Sequence, residues 1–427
     1  MARATAPDDP TRQTYGVTTD TAAVSYRSVL AHREFRAVLL SQGLSVLGDQ
    51  LARLALAVLV FRQTGSAFAA SATYAVFFLA YLAGGPVLSS LADRLPRRRV
   101  MVTSDLGCAA VVAAMALPHL PVPALFALLV LLGLATPAFD SSRSATLPDM
   151  LQGDAYTRGN ALLNLVFQAA QVLGFVAGGA LLAVLPVAQV LLLDAATFLL
   201  SALALRVYVQ ARPALTSTGA SVLHDTVEGV RLVAGDARLR RLLGFALLSA
   251  AAVAAPESLA VPVAAAMGGG TLASGVLTAS LPAGFLLASF AVLRVAPERR
   301  ERLLLPLAAL SAGPLLLTPL SASVPVTTAL WLLAGIGSSL QLVASAAYVV
   351  AAPAHARGRA YGVAATLLMA VQGGAQLLVG AVASVSGPRA AVALVAGLTL
   401  LVLPLTNFQR EPALKGPPGA VDGPPDG

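Results

Sequence analysis

Asp49 and Arg53 stand four residues apart in the middle of one long apolar stretch. Glu257 stands in another, beside Pro256 and five residues before Pro262. A carboxylate so placed can take up and release a proton, and a guanidinium beside it can offset the charge. Such residues are costly to place there: a charge at a bilayer centre costs on the order of 2.5–3.5 kcal/mol on insertion scales. The i, i+4 spacing puts Asp49 and Arg53 on one helix face. Two readings stay open for them: an internal ion pair, or a proton- or substrate-coupling site on a central cavity. Prolines free backbone carbonyls and bend membrane helices, so the segment around Glu257 is expected to be irregular and to face a cavity, with Glu257 either a functional group there or an outer-end residue reaching water. Asp194, near the start of its stretch, is expected at the membrane interface. Asp140 and Arg143, near the end of theirs, are expected to act as a gate or a cap.

Uncharged polar residues form stripes. Asn164, Gln168 and Gln171 follow i, i+4, i+7, Gln372 and Gln376 follow i, i+4, and Gln341 lies on a further stretch. Each either bonds a neighbouring helix, worth about 0.6 kcal/mol on average, or lines a cavity. Gly174, Gly178 and Gly179, like Gly373, Gly374 and Gly380, are small enough to let helices approach closely. Tyr74, Phe77, Phe78, Tyr81 and Trp331 either pack helices or hold a lipophilic compound.

The elements that must position these residues are twelve apolar stretches: 37–61, 67–91, 99–118, 122–146, 160–184, 188–208, 242–264, 271–293, 303–321, 324–350, 360–384 and 389–407. Each is near the roughly 20 residues a spanning helix needs. Of the 28 Lys and Arg residues, 25 fall before the first stretch, in the even-numbered gaps or after the last. The odd-numbered gaps hold only Arg62 and Arg389, and Arg53 lies inside the first stretch. Basic residues are retained on the cytoplasmic side, so both termini are expected there. The expected organisation is a disordered cytoplasmic tail over 1–32, a six-helix bundle over 33–208, a linker over 209–241, a second six-helix bundle over 242–407 and a second tail over 408–427. In the linker, Leu223, Val227, Val230 and Ala234 have the spacing of an amphipathic surface helix.

Hydrophobic residues make up 57% of the chain and charged residues 11%, against about 25% charged in an average soluble domain. The formal charge of +8 sits at stretch ends on one side, which argues for topology and anionic lipid and against nucleic acid. Cys108 is the only cysteine, and His32, His119, His224 and His355 are scattered, so neither a disulfide nor a metal site is expected. No Gly-x-x-x-x-Gly-Lys-Ser/Thr loop is present, so no ATP site is expected, and neither is a cofactor or an enzymatic nucleophile–base pair.

The two halves repeat at a constant offset of 201 residues. Pro96 matches Pro297, Arg98 matches Arg299, Arg99 matches Arg300, Arg158 matches Arg359, Gln171 matches Gln372 and Gly179 matches Gly380. Two parallel repeats put a binding site near the midplane between them. Leu91-Ala92-Asp93-Arg94-Leu95-Pro96-Arg97-Arg98-Arg99 follows the second stretch and resembles the loop signature of the major facilitator superfamily, Gly-x-Leu-Ala-Asp-Arg-x-Gly-Arg-Arg. Ser89 and Pro96 replace its two glycines, whereas Asp93, Arg94, Arg97 and Arg98 are kept. The resemblance extends over about residues 33–407. Phe35-Arg36, Leu47-Gly48-Asp49, Thr64-Gly65-Ser66 and Leu193-Asp194-Ala195-Ala196-Thr197-Phe198 resemble the branch that exports drugs, macrolides and siderophores. In that branch's Gly-Pro-x-x-Gly core, here Gly174 to Gly178, Phe175 takes the proline's place.

The resemblance implies an all-α membrane protein with 12 transmembrane helices in two six-helix repeats, located in the inner (plasma) membrane of a bacterium. It implies a secondary transporter, a proton-coupled exporter of a small organic or drug-like compound. Asp49, then Glu257, would carry protons. Asp93, Arg94, Arg97 and Arg98 would gate the cytoplasmic seam between the halves. Uptake symport on the same fold, or a receptor or assembly protein that no longer transports, remain alternatives.

Overall fold

Apolar stretches joined by connections of a few residues must fold back on one another, and helices satisfy every backbone group within lipid. The computed structural model describes residues 25–92, 95–212 and 222–407 and is helical throughout its regular structure. The first half contains α1 (Arg33–Thr64), α2 (Ala67–Ala92), α3 (Arg97–Met115), α4 (Val122–Met150), α5 (Gly153–Val184) and α6 (Val187–Tyr208). The second contains α7 (Ala237–Ala266), α8 (Thr271–Leu293), α9 (Leu304–Ala312, prolonged by 3-10 turns over Gly313–Leu320), α10 (two pieces, Val324–Ser338 and Leu340–Ala351), α11 (Arg357–Ser386) and α12 (Pro388–Asn407). Among the described residues, eleven helical segments are long and apolar enough to cross a membrane. α3 is the exception among the twelve, because Arg97, Arg98, Arg99 and Asp105 fall within its 19 residues. The interior is mostly apolar, as in a water-soluble protein, but so is much of the surface. Leu394, Leu398, Leu401 and Leu405 form an exposed stripe along α12, while Gln376, Asp194 and Ser201 are fully buried. An apolar outer surface suits lipid, and the polar side chains within the spans turn toward protein.

The helices overrun the apolar stretches on the arginine-rich face. α1 and α5 each have 32 residues, about 48 Å at 1.5 Å per residue against a hydrocarbon core of about 30 Å. Thr64-Gly65-Ser66 is the turn between α1 and α2: Gly65 has φ 65 and Ser66 Oγ accepts from the Ala69 amide at 3.2 Å. α7 stays helical through Pro256 and Pro262, so the irregular segment expected there is not found. Irregularity falls instead in α9, which tightens over Gly313–Leu320, and at Ser339 in α10.

One feature corrects the expected organisation, and the linker helix is found where it is expected. Residues 25–32 are not an unstructured tail: Ser25 caps a helix over Tyr26–Ala31 and Val29 is fully buried. Residues 1–24 and 408–427 lie outside the described residues, as do Asp93 and Arg94. In the linker, the helix Val222–Gly235 leaves Val227 and Val230 exposed and turns Gly229 and Val233 inward. Gly229 lies against Val363 and the Arg359 backbone of α11, and Glu228 pairs with Arg359. On the opposite, short-loop face Arg389 is held by carbonyls at the end of the 3-10 segment, with Nη2 2.7 Å from Pro319 O and also bonded to Ser321 O. The lone arginine of α12 on that face thus caps a helix end.

The halves meet along two seams, α5 against α8 and α2 against α11. A Cβ on Gly179 would stand 2.8 Å from Thr271 O and 2.9 Å from Gly275 Cα. In the second seam, a Cβ on Gly380 would stand 2.9 Å from Ser71 Cβ, and Ser71 Oγ donates to Gln376 O at 2.6 Å. These contacts lie toward the short-loop face.

Candidate functional site

Below the α5–α8 seam, toward the arginine-rich face, the halves enclose a cavity of about 190 Å³. Helical periodicity selects its wall: Ala250, Val253 and Glu257 from one face of α7, and Thr278, Leu281, Pro282 and Phe285 from one face of α8. α5 contributes Gln168, Gln171 and Phe175; α10 contributes Ser338 and Gln341 at its break; α11 contributes Gln372. Gln372 Nε2 donates to Glu257 Oε2 at 3.3 Å, and Gln341 Nε2 reaches Ser249 Oγ at 3.4 Å.

The structure therefore brings together Glu257, Gln168, Gln171, Gln341 and Gln372. Two residues of the stripes stand apart. Asn164 is exposed and turns its amide to Asn160 O, 3.0 Å away. Gln376 is fully buried, and neither atom of its side-chain amide finds a partner. The glycines of α5 serve two surfaces. Gly174 and Gly178 admit α1, with a Gly174 Cβ position 2.7 Å from Leu47 O, while Gly179 admits α8.

Asp49 and Arg53 lie in a second, smaller cavity of about 20 Å³ with Ala52, Leu56, Thr73, Tyr74, Phe77, Leu129 and Leu132. That is room for roughly one water. Among the described residues, no ion pair within 4.0 Å joins Asp49 to Arg53. Arg53 instead lies over the Phe77 ring, 4.3 Å from its centroid, and 5.4 Å from that of Phe78. A guanidinium over a ring face is attracted by the quadrupole, and the edge-to-face pair Phe77–Phe78 presents two rings to it. The Tyr74 hydroxyl is buried without a partner. Tyr74 and Phe77 thus line the small cavity, whereas Phe78 and Trp331 are buried by packing, and Trp331 Nε1 donates to Thr318 Oγ1 at 3.2 Å.

Two acidic residues take positions that their sequence context does not announce. Asp194 is fully buried between α6 and α1, not at the interface. Gly48 makes the room: a Cβ there would stand 3.2 Å from Asp194 Cγ. Asp194 Oδ1 accepts from Thr197 Oγ1 at 3.2 Å, while Oδ2 has no partner. Asp105 of α3 is buried and accepts a hydrogen bond from Ser201 Oγ, which stands 2.5 Å from Ser41 Oγ. The signal for both was a carboxylate inside an apolar stretch, the same signal that singles out Asp49.

Arg97 and Arg98 do not reach across to the second half. Arg97 pairs with Asp149 at 2.6 Å and donates to Ala145 O at 2.6 Å, and Arg98 donates to Val209 O at 3.1 Å. In this conformation Arg97 and Arg98 make their contacts within the first half, and Asp93 and Arg94 of the expected gate lie outside the described residues. Asp140 pairs with Arg143 at 3.2 Å and accepts from the Tyr81 hydroxyl at 3.1 Å, within the first half.

The sequence profile of the Major Facilitator Superfamily matches residues 38–373. Among solved structures, the chain is similar to a bacterial homolog of the human lysosomal transporter Spinster in an inward-facing, unoccupied conformation. The TM-score is 0.70 at 13% identity, covering 88% of this chain and 97% of that one. It is similar to the nucleoside transporter NupG, with TM-score 0.72 at 12% identity, covering 88% and 100%. A POT family transporter in complex with a thioalcohol-conjugated peptide gives TM-score 0.71 at 11% identity, covering 88% and 96%. At these identities the likeness is one of fold. No curated protein sequence matches the chain significantly.

Proposed function

The chain belongs to the Major Facilitator Superfamily, and on that premise we propose that it is a proton-coupled exporter of a small organic compound, an antiporter working by alternating access. The observation that carries this is the cavity between the halves, walled by Glu257 and four glutamines and lying beside seams built on Gly179 and Gly380. Binding at a repeat interface, with the repeats rocking about it, is how transporters of duplicated architecture work. Retained arginines make the arginine-rich face the cytoplasmic one. The cavity lies on that side of the α5–α8 seam, the side from which an exporter loads.

Asp49 is the proposed proton carrier. It sits in the first half beside a water-sized space that Arg53 also lines, the guanidinium lying over the Phe77 ring. Glu257 faces the substrate cavity and is the second candidate. Asp93, Arg94, Arg97 and Arg98 are proposed to close the cytoplasmic seam in the alternate state, with Arg97 then leaving Asp149.

Transport direction tests the reading. Acid-loaded inverted vesicles should accumulate substrate as protons leave. Accumulation only in right-side-out vesicles, driven by external acid, would convert the reading to uptake symport. Movement in neither would support the receptor or assembly alternative.

A further inference from the structure

The cavity's chemistry narrows its substrate class, an inference that rests on reading this cavity as the transport site. Among the described residues one lining residue is charged, Glu257, and its hydrogen bond to Gln372 uses one acceptor position of a carboxylate that has about four. No ion pair within 4.0 Å reaches Glu257 among the described residues, and Arg53 is occupied by the Phe77 and Phe78 rings in a separate cavity. The wider interior leans the same way. Away from the span ends, Asp49, Asp105, Asp194 and Glu257 are accompanied by one guanidinium, Arg53, apart from the Asp140–Arg143 pair.

Four glutamines make up the rest of the polar lining with Thr278 and Ser338. Each amide both donates and accepts, which suits hydroxyl or carbonyl groups better than a bare hydrocarbon. Lipophilic cations are favoured by stacked aromatic faces. Here, among the described residues, Phe175 and Phe285 are the aromatic side chains in the wall, while Tyr74 and Phe77 line the smaller cavity and Phe78 and Trp331 are buried elsewhere. We propose that the cavity binds a small hydrophilic organic amine, its ammonium on the Glu257 carboxylate and its hydroxyl or carbonyl groups on Gln168, Gln171, Gln341 and Gln372.

A charge series on one scaffold tests this with the purified full chain. Glucosamine, glucose and glucuronate are compared with tetraphenylphosphonium by ligand-induced shifts in thermal unfolding at neutral pH, where most of the amine is already protonated. Glucosamine alone of the four should stabilise the protein. Glu257→Gln should weaken that binding at least tenfold, and Glu257→Asp, which keeps the charge, should retain it. Equal binding of glucose, preference for glucuronate or the phosphonium, absence of binding by glucosamine, or full binding in Glu257→Gln would each overturn the proposal. Alternating access is followed separately, by labelling Ala250→Cys from either face in a Cys108→Ala background. Alternation driven by the phosphonium alone would remove the amine class and leave the transporter reading. Glucosamine binding without any change in labelling would do the reverse.

Discussion

Residues 201 apart take equivalent places in the two halves: Gln171 and Gln372 face one cavity, and Gly179 and Gly380 each close one seam. The ionisable groups do not follow that pairing. α1, α3 and α6 bury Asp49, Asp105 and Asp194, whereas the residues 201 further on are Ala250, Pro306 and Val395. Glu257 has Leu56 as its counterpart. The cavity wall is uneven as well, since among the described residues the first half contributes Gln168, Gln171 and Phe175 against ten from the second. A duplicated frame supplies two matched seams on which halves can rock. The unmatched residues divide the chemistry, with substrate contact mostly in the second half and buried carboxylates mostly in the first.

The seams give the strongest way to break this comparison. A Gly275→Val side chain has no room against Gly179 and Phe175. Overpacking costs about 1–3 kcal/mol, and because the clash exists only in the closed seam it should shift the population about 5- to 150-fold toward opening on the short-loop face. Labelling of Ala250→Cys from each side reads the shift, and Gly380→Val should move it in the same direction. If only one of the two does so, the seams are not equivalent.

The glutamine pair comes next. Hydrogen bonds to charged groups are worth about 1.5–3 kcal/mol and neutral ones about 0.5–1.5. Gln372→Ala, which removes a donor to Glu257, should therefore weaken substrate binding roughly tenfold, and Gln171→Ala only a few-fold. Equal losses would mean that the wall is chemically symmetric after all. The smallest expected effect on binding is that of Ser201→Ala. Leaving Asp105 buried without its donor should cost about 1–3 kcal/mol of stability, seen as a lower unfolding temperature, with substrate affinity unchanged. A change in affinity would tie the first half's buried acids to the substrate site.

Much of this architecture was readable from residue order, because bilayer thickness sets stretch length and arginine placement sets sidedness. The amide stripes could be read because helical spacing reports which residues share a face. Spacing does not report what that face meets. Asp194 reads as an interfacial residue from its place near the start of α6, yet Gly48 of α1, far off in sequence, opens the notch that buries it. Asp105 is masked by the three arginines opening α3, which make the helix read as its least apolar span. The aromatic residues of α2 and α10 could not be sorted into packing or cavity by type alone. α7 shows the same limit: two prolines argue for a break, but the helix is unbroken through both.

Proton flux in proteoliposomes tests the division of labour between the halves most directly, with wild type and Asp49→Asn compared under an added hydrophilic amine. Substrate-triggered proton movement in the wild type that disappears in Asp49→Asn, while the variant still binds and exchanges substrate, is the predicted result. Undiminished proton flux in a folded Asp49→Asn protein would contradict it and take the proton out of the first half's Asp49 site.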